Sequence, residues 1–329
     1  MVRTEIKMKD KLLVIGSGAM GTALSNAFLD AGKLNVEIYG IDKNELLDLK
    51  SGHNSKYFQD HKFNSFVTHN DLKIALNNAK YILIAVPSIA MNIVYPQLLQ
   101  NLNSEVLIIN ASKGFYPNTE KSIHEEMTFL ANENSFIRGV VSLIGPSHAE
   151  EIIKSKPTLI DSVSENLQHC EEVMMLGKSD YLKIYPQTDV VGAEIGAAYK
   201  NIIAIANGIC AGLGYGINSQ AALIARGMAE MNRLSDLKGG KSTTLLGLTG
   251  LGDIIVTALS DLSRNFTFGK NFAKIGKEAL KTKVTVEGLN ALKIINKVRK
   301  ENKLYLPIVA TLYSVIFENS SLSDIKDKL

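Results

Sequence analysis

KLLVIGSGAMG, residues 11 to 21, runs from a short apolar stretch straight into three spaced glycines, and the rest of the chain reads outward from it. Residues 12–15 predict a buried strand. Gly16-x-Gly18-x-x-Gly21 follows at once and opens an amphipathic helix over residues 20–31. In such a unit the first glycine permits the turn, the second lets backbone N–H groups approach a pyrophosphate, and the third lets helix and strand pack closely. A dinucleotide's phosphates would then lie at the positive end of the helix. Gly32 stops the helix, and a second strand over residues 36–41 ends in Asp42, about 20 residues past the glycines, where an acid can bind a ribose hydroxyl. Glycine turns also precede helices for packing alone, and a carboxylate at a strand end also caps turns. The strand, helix and spaced acid together favour the dinucleotide.

The chain's 329 residues exceed the roughly 250–300 at which single cores stop growing, so two domains are expected. A net charge of +3 with no dense Lys/Arg run argues against nucleic acid or a membrane as partner. Cys170 and Cys210 are the only cysteines, too few for a disulfide framework or zinc spacing, and a reducing cytoplasm is the expected compartment. Residues 1–10, MVRTEIKMKD, are basic but lack an apolar stretch of signal-peptide type behind them, so secretion is not expected. The apolar run 195–213 contains Lys200, Asn201 and Asn207, which are costly in a bilayer; a buried core helix is expected there.

Residues 66–69, 80–86, 105–110, 140–144, 158–163 and 182–185 read as further strands, with helices over 71–78 and 121–133. The continuous apolar runs at 81–86 and 106–109 suit strands covered on both faces. Beyond Pro186 helical patterns dominate, broken by glycine clusters at 212–216, 239–240 and 247–252. The expected architecture is α/β: an N-terminal Rossmann-type doubly wound sheet over residues 1–188 that binds the dinucleotide, then an all-helical domain over 189–329 for substrate and catalysis.

Open α/β sheets bind ligands beyond the carboxyl ends of their strands. Strand 105–110 runs into Ser112-Lys113-Gly114, a cation beside a flexible glycine, or else a solvated loop lysine. Strand 140–144 runs into Gly145-Pro146-Ser147-His148-Ala149, an anion-binding turn or an ordinary helix start with Pro in its first turn. Lys200 lies among Ala197, Ala198, Ile202 and Ile203, where it must snorkel, find an anion or lose its proton, and desolvation moves its pKa toward the range of proton transfer. Asp253, Ser263, Arg264 and Asn265 offer a carboxylate, a hydroxyl, a guanidinium and an amide for a phosphorylated ligand; a surface pair of Arg264 with Asp261 is the plainer alternative. No GxSxG, HExxH or Walker sequence is present. Ser147 and His148, as chain neighbours, make a poor nucleophile–base pair.

VIGSGAMGTALS, ASKG, IGPSHAEEI, AYKNIIAIANGICAGLGYGINSQAALIARGMAEM, GLTGLGDIIVT with SRN downstream, and TVEG occur in this order. In combination they make the chain resemble the bacterial NAD(P)-dependent glycerol-3-phosphate dehydrogenases over nearly its full length. The resemblance implies reversible hydride transfer between a nicotinamide cofactor and dihydroxyacetone phosphate or glycerol 3-phosphate, the backbone of phospholipids. It implies that Lys200 is the catalytic proton donor or acceptor and that Lys113 stands where nicotinamide and substrate meet. Gly145, Ser147, Asp253, Ser263, Arg264 and Asn265 would bind substrate. Gly16, Gly18, Ala19, Met20, Gly21, Ile41, Asp42, Lys113, Ala149, Arg264, Thr285 and Glu287 would contact the cofactor.

Ala19 and Met20 replace the serine and aromatic residue frequent in the family, which is expected to weaken stacking or hydrogen bonding on the cofactor. Ile41 and Asp42 replace basic residues common in NADP users. NADH is therefore expected to be slightly favoured over NADPH, with Lys43 as a partial offset. No metal is expected. A homodimer is expected from the apolar faces of the helical domain. Two alternatives stand beside this reading: a related dehydrogenase for another small hydroxy acid or sugar phosphate, and a non-catalytic NAD(H)-binding sensor.

Overall fold

Leu12, Leu13, Val14 and Ile15 are at most 1% exposed, the mark of a strand covered on both faces. They belong to β1 (Lys11–Ile15), followed by β2 (Asn35–Tyr39), β3 (Val67–His69), β4 (Ala79–Ile84), β5 (Val106–Asn110), β6 (Ile137–Ile144), β7 (Thr158–Val163) and β8 (Leu182–Gln187). This is a computed structural model, and it describes residues 9–59, 61–282, 284–318, 320–322 and 325. Residues 1–8 of the basic N-terminal stretch lie outside the described residues.

The eight strands form one sheet in the order β3-β2-β1-β4-β5-β6-β7-β8, and β1 pairs in parallel with both β2 and β4. The order 3-2-1-4-5-6 is that of a dinucleotide-binding Rossmann sheet, with its crevice where the order reverses beside β1. The expected α/β architecture, a Rossmann-type sheet followed by helices, is the one observed.

Four strands differ from expectation by two residues or more at an end; one is β4, which stops at Ile84 rather than at residue 86, the chain bending at Val86. β2 ends at Tyr39 rather than at residue 41, because β3 beside it ends at His69 and the chain then turns so that Asp42 can cap the helix Lys43–Lys50. β6 begins at Ile137, three residues early, since Gly139 within it masks the apolar pattern; a Cβ there would meet the His169 ring at 2.4 Å. β8 continues through Pro186 to Gln187, which an edge strand tolerates because its outer N–H groups need no partner.

The chain divides into two compact units. The first holds Met1–Ser112, His124–Leu143 and His148–Thr188; the second holds Lys113–Ile123, Ile144–Ser147 and Asp189–Leu329. In the first, Leu12, Val14, Phe28, Ile38, Leu83, Ile109, Val141 and Ile184 are among the core residues. Complete burial of such side chains stabilises by about 1.5–3 kcal/mol each before the entropy of ordering is set against it.

The second unit is built on the helix Val190–Gly212, whose residues from Gly196 to Cys210 are all buried. Asp189 starts it by accepting the Gly192 N–H at 3.0 Å. The apolar run 195–213 is thus a core helix, and among the described residues no helix is long and apolar enough to cross a membrane. The helix Arg264–Ile275 packs against it at glycines. A Cβ on Gly208 would meet the Phe266 carbonyl at 2.1 Å, and one on Gly269 the Ile205 carbonyl at 2.2 Å. This approach sets where the start of the second helix stands relative to Lys200.

Candidate active site

In the first unit the glycine turn is shaped by contact. Gly16 has φ +119°, and a Cβ on it would stand 2.4 Å from the Ala85 carbonyl; one on Gly21 would stand 2.0 Å from the Gly16 carbonyl. Above Gly18 the space is open, the nearest atom being Tyr57 Oη at 3.9 Å. The helix Ala19–Asp30 has neither a side-chain cap nor an acid in its first turn, so its first N–H groups meet no side-chain acceptor. Ala19 and Met20 open that helix, and Ala149 opens the short helix Ala149–Ile152 packed against it. A backbone cradle with unclaimed donors fits the phosphates of a dinucleotide.

Asp42 is more committed than its position suggests. Its Oδ1 accepts the N–H groups of Asn44 at 3.0 Å and Glu45 at 3.3 Å, capping the helix Lys43–Lys50. Those bonds, Glu45 first, hold its carboxyl below the ordinary value. Oδ2 lies 3.4 Å from Lys56 Nζ, and Ile41 beside it is 89% exposed.

The second unit gathers residues distant in sequence. Lys200, 5% exposed, places Nζ 2.5 Å from Asp253 Oδ2, and Asp253 is 1% exposed. Asp253 is delivered by a π-helical turn, Leu248–Gly252, and is the first residue of the helix Asp253–Ala258. Lys113 Nζ donates to the same Oδ2 at 3.3 Å, to the Gly145 carbonyl at 3.0 Å and to Ser147 Oγ at 3.2 Å. Ser147 Oγ in turn donates to the Gly145 carbonyl at 2.9 Å. Lys113 is therefore no solvated loop lysine. Nor does Pro146 sit in a helix, whose first turn begins only at Ala149.

Burial pulls the Lys200 ammonium down from 10.5 to about 8; Asp253 opposes the shift and the charge of Lys113 adds to it. Burial pushes the Asp253 carboxyl upward, but Lys113 and Lys200 overcome this and hold it below its ordinary value. The result is a buried carboxylate between two ammonium groups, with a net positive formal charge. Such a cluster attracts an anion and can release a proton near neutral pH.

Farther along, Ser263 caps the helix Arg264–Ile275, its Oγ accepting the Phe266 N–H at 3.3 Å. Arg264 does not pair with Asp261, which is taken by Lys270 at 2.8 Å; its guanidinium lies 3.9 Å from Glu287 and its side chain is 55% exposed. Asn265 is turned inward, with Nδ2 donating to Asn201 Oδ1 at 2.9 Å and Oδ1 accepting the Gly288 N–H at 2.9 Å. Thr285 is half-buried, two residues before the helix Glu287–Glu301. Two participants were not singled out from sequence. Asn201, an amide inside an apolar helical run, was the readable signal of a buried polar partner. Glu45, buried and bonded to Ser17, offered none, because it sits in an ordinary polar helix.

A Rossmann-type sheet, a glycine turn open to phosphate and a buried lysine–carboxylate pair put the chain in the class of nicotinamide-dependent dehydrogenases. Two family models match it: the N-terminus of NAD-dependent glycerol-3-phosphate dehydrogenase over residues 11–170 and the C-terminus of the same over residues 189–327. The chain belongs to this glycerol-3-phosphate dehydrogenase family. A glycerol-3-phosphate dehydrogenase [NAD(P)+] of Mycoplasma mobile is 51% identical over 97% of this chain and 96% of its own length. One from Clostridium perfringens is 38% identical, covering 94% of each chain. The crystal structure of glycerol-3-phosphate dehydrogenase from Coxiella burnetii superposes with a TM-score of 0.86 at 29% identity, covering 97% of this chain and 98% of that one.

Proposed function

We propose that this protein is an NAD(P)-dependent glycerol-3-phosphate dehydrogenase that interconverts dihydroxyacetone phosphate and glycerol 3-phosphate for phospholipid synthesis. The observation that carries the reading is the buried Lys200–Asp253 pair at 2.5 Å, in a chain whose full-length relatives are named for this reaction. The matches favour neither a dehydrogenase for another small substrate nor a sensor.

When bound, the nicotinamide cofactor supplies or accepts the hydride. As a ketone is reduced, negative charge grows on its oxygen, and Lys200 donates the proton there; Asp253 keeps that ammonium charged despite burial. Lys113, fixed by Gly145 and Ser147, adds positive charge at the same centre. Arg264, with Ser263 and Asn265 at the start of its helix, anchors the remote phosphate and orients the carbon for attack. Gly16, Gly18, Ala19, Met20 and Gly21 cradle the cofactor phosphates, Ile41 and Asp42 its ribose, Lys113 stands where nicotinamide and substrate meet, and Ala149, Arg264, Thr285 and Glu287 are further cofactor contacts. NADH and NADPH are both accepted, with NADH slightly favoured. In this scheme residues 1–188 serve the cofactor and 189–329 the substrate, apart from Lys113, Gly145 and Ser147. The protein acts in the cytoplasm as a homodimer.

The test is loss of NADH absorbance with dihydroxyacetone phosphate beside unphosphorylated dihydroxyacetone. Rapid loss with the phosphorylated ketone alone is expected; equal rates with both would refute the phosphate anchor, and no loss with either would refute the reaction.

A further inference from the structure

We propose that Lys56 is the residue that lets this protein accept a 2′-phosphate on the adenosine ribose, and so sets its NADPH-to-NADH preference. The inference rests on the dinucleotide reading of the glycine turn and goes beyond it by assigning a specificity-determining side chain.

Lys56 Nζ bridges two carboxylates, Glu45 Oε1 at 2.6 Å and Asp42 Oδ2 at 3.4 Å. Glu45 is 7% exposed and fully engaged: Oε2 accepts Ser17 Oγ at 2.5 Å, and Oε1 also accepts Tyr57 Oη at 3.3 Å. Ser17 lies between Gly16 and Gly18. The phosphate-binding turn and the acid at the end of β2 thus belong to one hydrogen-bonded cluster, and Lys56 is a cation within it.

Asp42 Oδ1 is held by the helix it caps, which leaves Oδ2 facing outward beside Lys56. A ribose 2′-hydroxyl can donate to that oxygen. A 2′-phosphate has no proton to give and carries roughly −1.5 to −2 charges at neutral pH. Against Asp42 and Glu45 alone it would be repelled. The Lys56 side chain is 56% exposed and its contact to Asp42 is the longer of the two, so its ammonium can turn one of its three donors to a phosphate while remaining on Glu45. Although Lys43 is the nearer cation in sequence, Lys56 is the one set against Asp42.

The test is direct calorimetric titration of the full chain with NADPH and with NADH, read as the ratio of their dissociation constants. Lys56→Ala should raise Kd(NADPH)/Kd(NADH) about tenfold or more, the loss of one charge-assisted contact. Lys56→Arg should leave the ratio within about threefold of wild type, because the positive charge is kept. Asp42→Asn, which preserves a cap-competent side chain, should lower the ratio by removing repulsion. A ratio unchanged in Lys56→Ala, or raised in Asp42→Asn, would overturn the assignment. Lys56→Gln, which keeps the stem and a donor but not the charge, should raise the ratio likewise, so a poorly folded Lys56→Ala protein does not shelter the proposal. A wild-type protein that binds both coenzymes yet never oxidises NADH with dihydroxyacetone phosphate would refute the proposed reaction and leave this ratio fully readable.

Discussion

The glycine turn and the Lys200 cluster solve opposite problems. At the turn, backbone does the work: side chains are absent because a Cβ on Gly16 or Gly21 would strike a carbonyl, and the first turn of the following helix lacks a side-chain cap. In the cluster, three ionisable side chains work against burial, and each is tolerable only because the others are there. The lesson is that binding an invariant group such as pyrophosphate asks for shape, whereas moving a proton asks for a tuned charge. Substitutions should therefore fail differently in the two places, by misfit in one and by chemistry in the other.

The largest effect is expected at Lys200. Lys200→Ala should lower kcat by about a hundred- to ten-thousandfold, the usual range for loss of a general acid, in steady-state assays with dihydroxyacetone phosphate. Its fold should survive, since Asp253 keeps Lys113 at 3.3 Å. At the turn the order reverses, with stability suffering first. Gly21→Ala drives a Cβ to 2.0 Å from the Gly16 carbonyl and should cost about 3 kcal/mol in urea denaturation, the upper end for overpacking. Asn265→Ala is intermediate, leaving the buried Gly288 N–H and Asn201 Oδ1 without their partner, and should cost about 1–3 kcal/mol by the same assay. Asp261→Asn removes only an exposed pair with Lys270, and the same denaturation curve should move by less than about 0.5 kcal/mol.

The two regions were unequally legible. The turn could be read because its parts are contiguous: apolar strand, three glycines and helix follow within one short stretch. Contiguity left both roles of Asp42 open, ribose ligand or cap, and the backbone of Lys43–Lys50 shows the cap, taken by one carboxylate oxygen and leaving the other. The cluster could be read residue by residue but not as a cluster. No local pattern links Lys113 to Gly145 and Asp253, and Lys113–Ile123 and Ile144–Ser147 both fall in the second compact unit. Asp253 reaches Lys200 and Lys113 from the π-helical turn before it, which no local periodicity records.

The most direct test of this account is the pH dependence of kcat for dihydroxyacetone phosphate reduction, in wild type and in Asp253→Asn. In the proposed mechanism reduction uses protonated Lys200, whose pKa is lowered to about 8, so kcat should be level below that pH and fall as pH rises through it. Asp253 raises that pKa against burial, so in Asp253→Asn the fall should move to lower pH. A limb at the same pH in both proteins, or none in wild type up to the ordinary lysine value of 10.5, would contradict the claim that a buried, carboxylate-tuned Lys200 delivers the proton.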